Sequence, residues 1–344
     1  ETHRGSDASA PWSSSNVDEK TAFELYFPPF KSAIEAGVAA AMCAYNKVDG
    51  EWASANEKLL KGYLKEKMGF RGFVMSDWGA THQTSIDQGL DMNQHMQDDV
   101  DPVFTPADAS EDGLNDAATR ILASMYHMDT FHNTICTPPE CEGPFSRSVR
   151  SNEHTALSRE AVTESVVLLK NAGQVLPLDS SIRTIAVIGP AAMADAYDTN
   201  APGHQWNWGD YYSGGGSGHL FAGYVVKALE GITMRAQQAG VRVLVVSQDD
   251  PQGLAAATEA DVTFVVAGAT SGETIDRSHL DLEGEANALI SQVVQVAKKT
   301  VVLMQVCGSV LTPWRDQVDG IAVMFLGGPE TGNAWGSVIF GDHA

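Results

Sequence analysis

The chain is short of basic residues: 22 Lys and Arg stand against 44 Asp and Glu, a formal charge of −22 over 344 residues. That argues against a nucleic-acid binder, which needs a basic face to displace counterions from phosphates. It equally disfavours docking on an anionic membrane. Long apolar runs are missing as well, and none approaches the roughly 18 residues that a membrane span requires. No nucleic-acid partner and no membrane span are therefore expected. The ten histidines show no HExxH-type spacing, so neither a metal site nor a cofactor is expected. No GxSxG elbow marks a serine hydrolase.

Cysteine is scarce, at four residues. Cys136 and Cys141 bracket a short Pro-rich loop that a disulfide could close, while Cys43 and Cys307 sit in apolar runs and read as buried thiols. One disulfide in an acidic chain leans toward an extracellular or secretory location. The chain opens on Glu1, with neither Met nor a signal peptide, and truncation at both ends is the expectation.

What is present is a globular alternation of helix and strand signals. Asp18-Glu19 opens a helix expected to break at Pro28-Pro29 and resume to Gly37. Val38 to Cys43 reads as a buried strand, and Asn56 as the N-cap of a helix that stops at Gly69. A second strand, 72–76, ends at Asp77, and a further helix is expected from Asp112 to Met128. After a Pro- and Ser-rich linker at 136–155, an amphipathic helix is expected over Arg159 to Lys170. Buried strands follow at Thr184–Ile188, Val241–Val246, Val262–Ala267, Thr300–Val306 and Ile321–Leu326. Near-continuous apolar strands separated by helices are the pattern of parallel sheets.

Two acids stand at strand ends. Asp77 follows a buried strand and precedes Trp78; it could face an open cleft, or simply cap the next helix. Glu273 lies just beyond the strand ending at Ala267, in the crevice where α/β folds bind ligands, or it is a solvated loop acid. Two carboxylates at strand ends suit glycoside chemistry, in which one attacks the anomeric carbon and the other protonates the leaving oxygen. The run Ser213 to Gly218 lacks the Lys-Ser/Thr ending of a P-loop and the spacing of a dinucleotide site. It reads as a flexible or close-approach loop beside a ligand.

Several segments, in order, resemble glycoside hydrolase family 3 in its β-glucosidase-like branch. Met42-Cys-Ala-Tyr-Asn-Lys-Val-Asp-Gly50 is similar to MCSYNKVNG, and Gly69 to Ala80 to GFxGFVxSDWGA. Glu1-Thr-His-Arg4 with Val17-Asp-Glu19 resembles the end of NEQExxR…VDE. Val167 to Asn171, Leu176-Pro-Leu178, Ser271-Gly-Glu273 with Asp276-Arg277, Gly328 to Ala334 and Phe340 to Asp342 resemble segments of the family's second domain.

The resemblance implies an α/β fold: the C-terminal part of a (β/α)8 TIM-like barrel over 1–135, then an (α/β)6 sandwich over 156–344, with the site between them. It implies that Asp77 is the nucleophile and Glu273 the acid/base, and that Arg4, Met42, Tyr45, Trp78 and Ser217 contact the terminal sugar. Trp78 leans toward glucosidases, since the xylosidase-like branch usually carries Cys there. Departures are the stretch Asn93 to Asp98 in place of Pro-Gly, a shorter Glu273 loop and Thr274 where Gly is common. A carbohydrate substrate is implied, and a homo-oligomer or larger assembly is open. The alternatives are a relative acting on N-acetylglucosamine through a barrel Asp-His pair, and a non-catalytic sugar-binding or assembly subunit.

Overall fold

The computed structural model describes residues 13–83, 85–94, 107, 109–132, 141, 143, 147–220, 223–246 and 253–342. The chain divides into two compact units, Glu1–Arg147 and Ser148–Ala344.

In the first unit, strands β1 (Ser14–Ser15), β3 (Lys47–Val48) and β4 (Glu51–Trp52) form a small three-stranded sheet. Strands β2 (Ala40–Cys43) and β5 (Phe73–Ser76) pair in parallel, with Met42 opposite Met75 and Cys43 opposite Ser76. The connection between β2 and β5 includes a π-type helix, Lys58–Lys67, whose Leu60 and Tyr63 are buried. The Asn56 side chain caps it, its Oδ1 accepting the Leu59 N–H at 2.9 Å. Gly69, at φ +74°, supplies the left-handed residue that turns the chain out of that helix toward β5. Cys43, Leu60, Phe70, Val74 and Leu90 make the buried core of this unit.

The prolines do not break the first helix. Glu19–Thr21, the π segment Ala22–Tyr26 and Phe27–Glu35 run on without interruption, and the prolines sit in the opening turn of the last segment. There the turn changes from i→i−5 to i→i−4 spacing, so a missing N–H falls where the ladder is already being reset. The helix expected from Asp112 spans Glu111–His127, with the Ser110 hydroxyl accepting the Gly113 N–H.

The second unit is built on one six-stranded sheet. The strands are β6 (Val167–Asn171), β7 (Thr184–Ile188), β8 (Arg242–Val245), β9 (Val262–Ala269), β10 (Thr300–Val306) and β11 (Gly320–Met324). Their order in the sheet is β6-β11-β10-β9-β7-β8, and all pair in parallel except β6, which lies antiparallel against β11 at the edge. Alternate residues face opposite layers, as the two-residue period of a strand demands. Phe264, Val266, Val301, Leu303, Ala322 and Met324 join one core, with the helices Ala228–Ala239 and Thr331–Phe340. Val265, Ala267, Val302, Met304, Ile321 and Val323 join the other, with the helix Ala286–Val296. Covering on both faces is why these strands read as unbroken apolar runs.

The helix expected at Arg159 to Lys170 is corrected by the structure. The helix is Asn152–Glu164, beginning inside the stretch read as linker, and Val167–Asn171 is a strand. Pairing of this aliphatic segment with β11, Lys170 opposite Ile321 and Val167 opposite Val323, overrides its helical periodicity. Cys141 is disulfide-bonded, and its expected partner Cys136 lies outside the described residues. Cys43 and Cys307 are free; Cys43 is buried, whereas Cys307 is only half-buried.

Candidate active site

Asp77 is the first residue after β5. The chain leaves the strand in a turn, with the Ala80 N–H donating to the Asp77 carbonyl at 3.1 Å and the Trp78 N–H to Asp77 Oδ1 at 2.8 Å. No helix begins there among the described residues, so Asp77 is not a helix cap. The turn is held against residues 92–94. Ser76 N–H donates to the Met92 carbonyl at 3.0 Å, Gln94 N–H to Ser76 Oγ at 2.8 Å, and Gly79 N–H to the Gln94 carbonyl at 3.0 Å. Asn93 Oδ1 accepts the hydroxyls of Ser76 and Thr81, at 3.2 and 2.6 Å.

Beneath the turn lies a buried ion pair that sequence reasoning missed. Lys65 Nζ and Asp91 Oδ1 are 2.7 Å apart, with side chains 4% and 2% exposed. The other Asp91 oxygen accepts the Val74 N–H at 2.7 Å, so the pair grips the strand that ends at Asp77. Burial raises the Asp91 pKa above its usual value, outweighing the lowering by Lys65 and by the Val74 hydrogen bond. Asp116 and Arg120 extend the network, Arg120 Nη1 donating to the Phe70 and Gly72 carbonyls at 2.9 and 3.1 Å.

Of the residues expected to contact the sugar, Met42 is 49% and Trp78 52% exposed, whereas Tyr45 is buried at 8%. Open apolar side chains beside a carboxylate suit a ligand with both hydroxyls and C–H faces. Cys43 occupies the position opposite Ser76 in the adjoining strand. Burial pushes its thiol up to about 12 and keeps it neutral near Asp77. Arg4 lies outside the described residues.

In the second unit the chain steps from β7 to β8 on one side and to β9 on the other, which makes the β7–β9 boundary a topological switch point. Glu273 lies on the loop leaving β9. It is not a solvated acid: Oε2 accepts the Ser217 N–H at 2.7 Å. The glycine run packs directly on this loop. Gly215 N–H donates to the Ser271 carbonyl at 2.9 Å, and Glu273 N–H to the Gly215 carbonyl at 3.1 Å. A Cβ on Gly216, at φ +105°, would lie 2.3 Å from the Glu273 Cβ, so only glycine fits. Ser217 thus meets Glu273 through its backbone N–H. Thr274, where the resemblance leads one to expect Gly, sits at φ +66°, a conformation costly for a β-branched residue.

Asp210 is a second residue that no motif announced. Its buried carboxylate accepts the N–H groups of Tyr197, Tyr212 and Ser213, at 2.6, 2.7 and 2.6 Å. It ties the excursion after β7 to the base of the glycine run. Asp-x-x-Ser ahead of glycines is the only local signal, and it is common in turns.

Residues 166–344 match the glycosyl hydrolase family 3 C-terminal domain, and residues 2–110 the family 3 N-terminal domain. The chain belongs to glycosyl hydrolase family 3. It is 36% identical over 358 residues to a probable beta-glucosidase L of Aspergillus terreus, covering 96% of this chain and 48% of that protein. Beta-glucosidase cel3A of Pyricularia oryzae is 32% identical over 355 residues, 95% of this chain and 48% of its own length. Among solved structures, a beta-D-glucoside glucohydrolase of Trichoderma reesei superposes with a TM-score of 0.83 at 31% identity, covering 96% of this chain and 49% of that one. A Chaetomium thermophilum beta-glucosidase gives 0.84 at 30%, covering 99% and 46%. The chain therefore spans about half the length of the family 3 relatives it matches.

Proposed function

We propose that the protein is a retaining β-glycoside hydrolase that releases terminal β-D-glucose-type residues by double displacement. Asp77 attacks the anomeric carbon and forms a glycosyl-enzyme ester, while Glu273 donates its proton to the departing oxygen. Glu273 then takes a proton from water as that water breaks the ester. The chemistry needs the two carboxyls about 5–5.5 Å apart at the reacting bond. Met42, Tyr45, Trp78, Arg4 and Ser217 serve as contacts of the terminal sugar, Ser217 through the loop that it shares with Glu273.

The observation that carries this reading is the seat of Glu273 in a family 3 chain. One oxygen is fixed by a backbone N–H, and glycine is required where the side chain passes. The names of the relatives favour glucosides. We assign residues 1–135 to the C-terminal part of a (β/α)8 barrel and 156–344 to an (α/β)6 sandwich. The parallel β2–β5 pair with Asp77 at its carboxyl end and the doubly covered sheet support that division. The disulfide-bonded Cys141 supports a secretory or extracellular location.

The test is azide rescue of Glu273→Ala in the full-length polypeptide. A β-glucosyl azide product establishes both retention and the acid/base role. Absence of that product, with a folded variant and an active wild type, removes Glu273 from the mechanism. A folded wild type with no turnover of any β-glucoside leaves the non-catalytic sugar-binding alternative.

A further inference from the structure

Glu273 is seated by two loops, and a further acid joins them. Glu283 lies farther along the connection that leaves β9, just before the helix Ala286–Val296. Its N–H donates to the Gly268 carbonyl at 3.0 Å, which pins its backbone to the end of β9. Its Oε1 accepts the Thr270 N–H at 2.7 Å and the Thr270 hydroxyl at 2.8 Å. The Cys307 thiol donates to the Thr270 carbonyl at 3.4 Å. Thr270 is therefore gripped through its N–H, its hydroxyl and its carbonyl, at the point where the chain turns out of β9 toward Glu273.

The same carboxylate holds the glycine run. The Tyr211 hydroxyl hydrogen-bonds Glu283; burial first, and then the charge and hydrogen bond of this carboxylate, push the phenol's pKa up. The Tyr211 ring lies against β9, where a Cβ on Gly268 would fall 2.4 Å from it. Tyr211 leads into Ser213 to Gly218, the run that supplies the Ser217 N–H to Glu273. A closed circuit results. It passes from Glu283 to Thr270, along the chain to Glu273, across to the Ser217 N–H, and back through the glycine run to Tyr211 and Glu283. The two arms also meet through Gly215 and Asn207, so cutting the Glu283 link loosens the seat without dismantling it.

We propose that Glu283 is a positioning residue for the general acid: it sets where Glu273 stands by tying the loop that carries Glu273 to the loop that holds it. The inference rests on the glycosidase reading and goes beyond it, since Glu283 neither attacks the sugar nor donates a proton. General acid catalysis needs the acid within about 2.6–3.2 Å of the oxygen it protonates. A misplacement of ~1 Å there is enough to lower the rate on the order of 10²-fold. The loop also has strain to contain: Thr274, next to the acid, sits at φ +66°. Such a conformation persists only where the surroundings over-determine it, and a carboxylate that fixes two loops at once does so.

The experiment compares methyl β-glucoside with β-glucosyl fluoride on the full-length polypeptide. Both leaving groups are small, but methoxide needs a proton as it departs and fluoride does not. The readout is kcat/KM, which reports the step in which that bond breaks. Glu283→Ala is expected to lower it about tenfold for the methyl glucoside, short of the ~10²–10⁴-fold that general acid catalysis supplies in all. The fluoride value should stay within about twofold of wild type, because the acid has little to do there. Glu283→Gln, whose amide oxygen still accepts both Thr270 donors, should restore the methyl glucoside value to within about threefold. Tyr211→Phe removes one hydroxyl and should show the same split at about threefold; it decides the matter if Glu283→Ala does not fold. Equal losses on both substrates, or none on either, make Glu283 a plain support of the fold and overturn the assignment, as does a Glu283→Gln variant that restores nothing. Glu273→Ala is the control. If it shows no split, the acid/base reading itself fails; if it alone shows the split, only the role of Glu283 falls.

Discussion

The two units hold their carboxylates by opposite means. Asp77 is delivered by a strand, and what fixes the strand is buried charge: Lys65, Asp91 and the Val74 N–H. Glu273 is delivered by a loop, and what fixes it is main chain, the Ser217 N–H with Gly216 pressed against the side chain. Among the described residues β5 is paired by a strand along one edge only, by β2, so the Val74 N–H is left to the Asp91 carboxylate. A loop has spare N–H groups, which can hold an acid directly if no Cβ stands in the way. The surroundings differ in the same sense. The second unit sandwiches its sheet between two apolar layers, whereas the core of the first is small and leaves Phe30, Met42, Trp78 and Tyr126 open.

Removing the charge anchor should be the most damaging change to stability. Lys65→Met strands the Asp91 carboxylate in the interior, a loss of ~3–5 kcal/mol that urea denaturation should place in the first unit. The sign with pH is fixed. Asp91 already has a raised folded pKa, so its favourable contribution is full below the ordinary 3.8 and is lost as pH rises through the folded value. The variant should therefore regain stability on acidification, and one that stays equally weak at pH 3 and pH 7 would break the contrast.

Gly216→Ala is next, and it should separate activity from stability. Displacing the Glu273 side chain by about 1 Å should cost on the order of 10²-fold in kcat, while the strain of an alanine at φ +105° should lower the stability of the second unit by only about 1 kcal/mol. A loss of stability with kcat preserved would show the glycines to be structural alone.

Gly332→Ala probes the apolar side of the second unit. Its Cβ would fall 2.0 Å from the Lys227 carbonyl, where the helices Ala228–Ala239 and Thr331–Phe340 cross. Overpacking should cost ~1–3 kcal/mol, read as a lower denaturation midpoint with β-glucosyl fluoride turnover retained.

The smallest effect is on a pH slope. Burial alone would raise the pKa of Glu330, but hydrogen bonds from Asn333, Arg159 and Tyr224 hold it below the ordinary 4.5. Its contribution is present above 4.5 and lost as pH falls through the lower folded value. Glu330→Gln should flatten the acid limb of the second unit's stability curve. An unchanged slope would assign acid sensitivity elsewhere.

The sequence by itself placed β7, β8, β9, β10 and β11 of the second unit to within about two residues, and for all of these but β8 the reason is burial on both faces, which leaves mostly apolar side chains along them. It also marked Asp77 and Glu273 as strand-end acids, and its ordered motifs pointed to the family. It could not show that Val167–Asn171 is a strand, since that depends on pairing with a segment some 150 residues away. Nor could it announce Lys65, Asp91 or Asp210, whose types are ordinary on any surface. Tertiary structure alone decided which acids are buried and which backbone N–H reaches a carboxylate. Burial and hydrogen bonding are properties of neighbours in space, and sequence spacing encodes them only within one regular element.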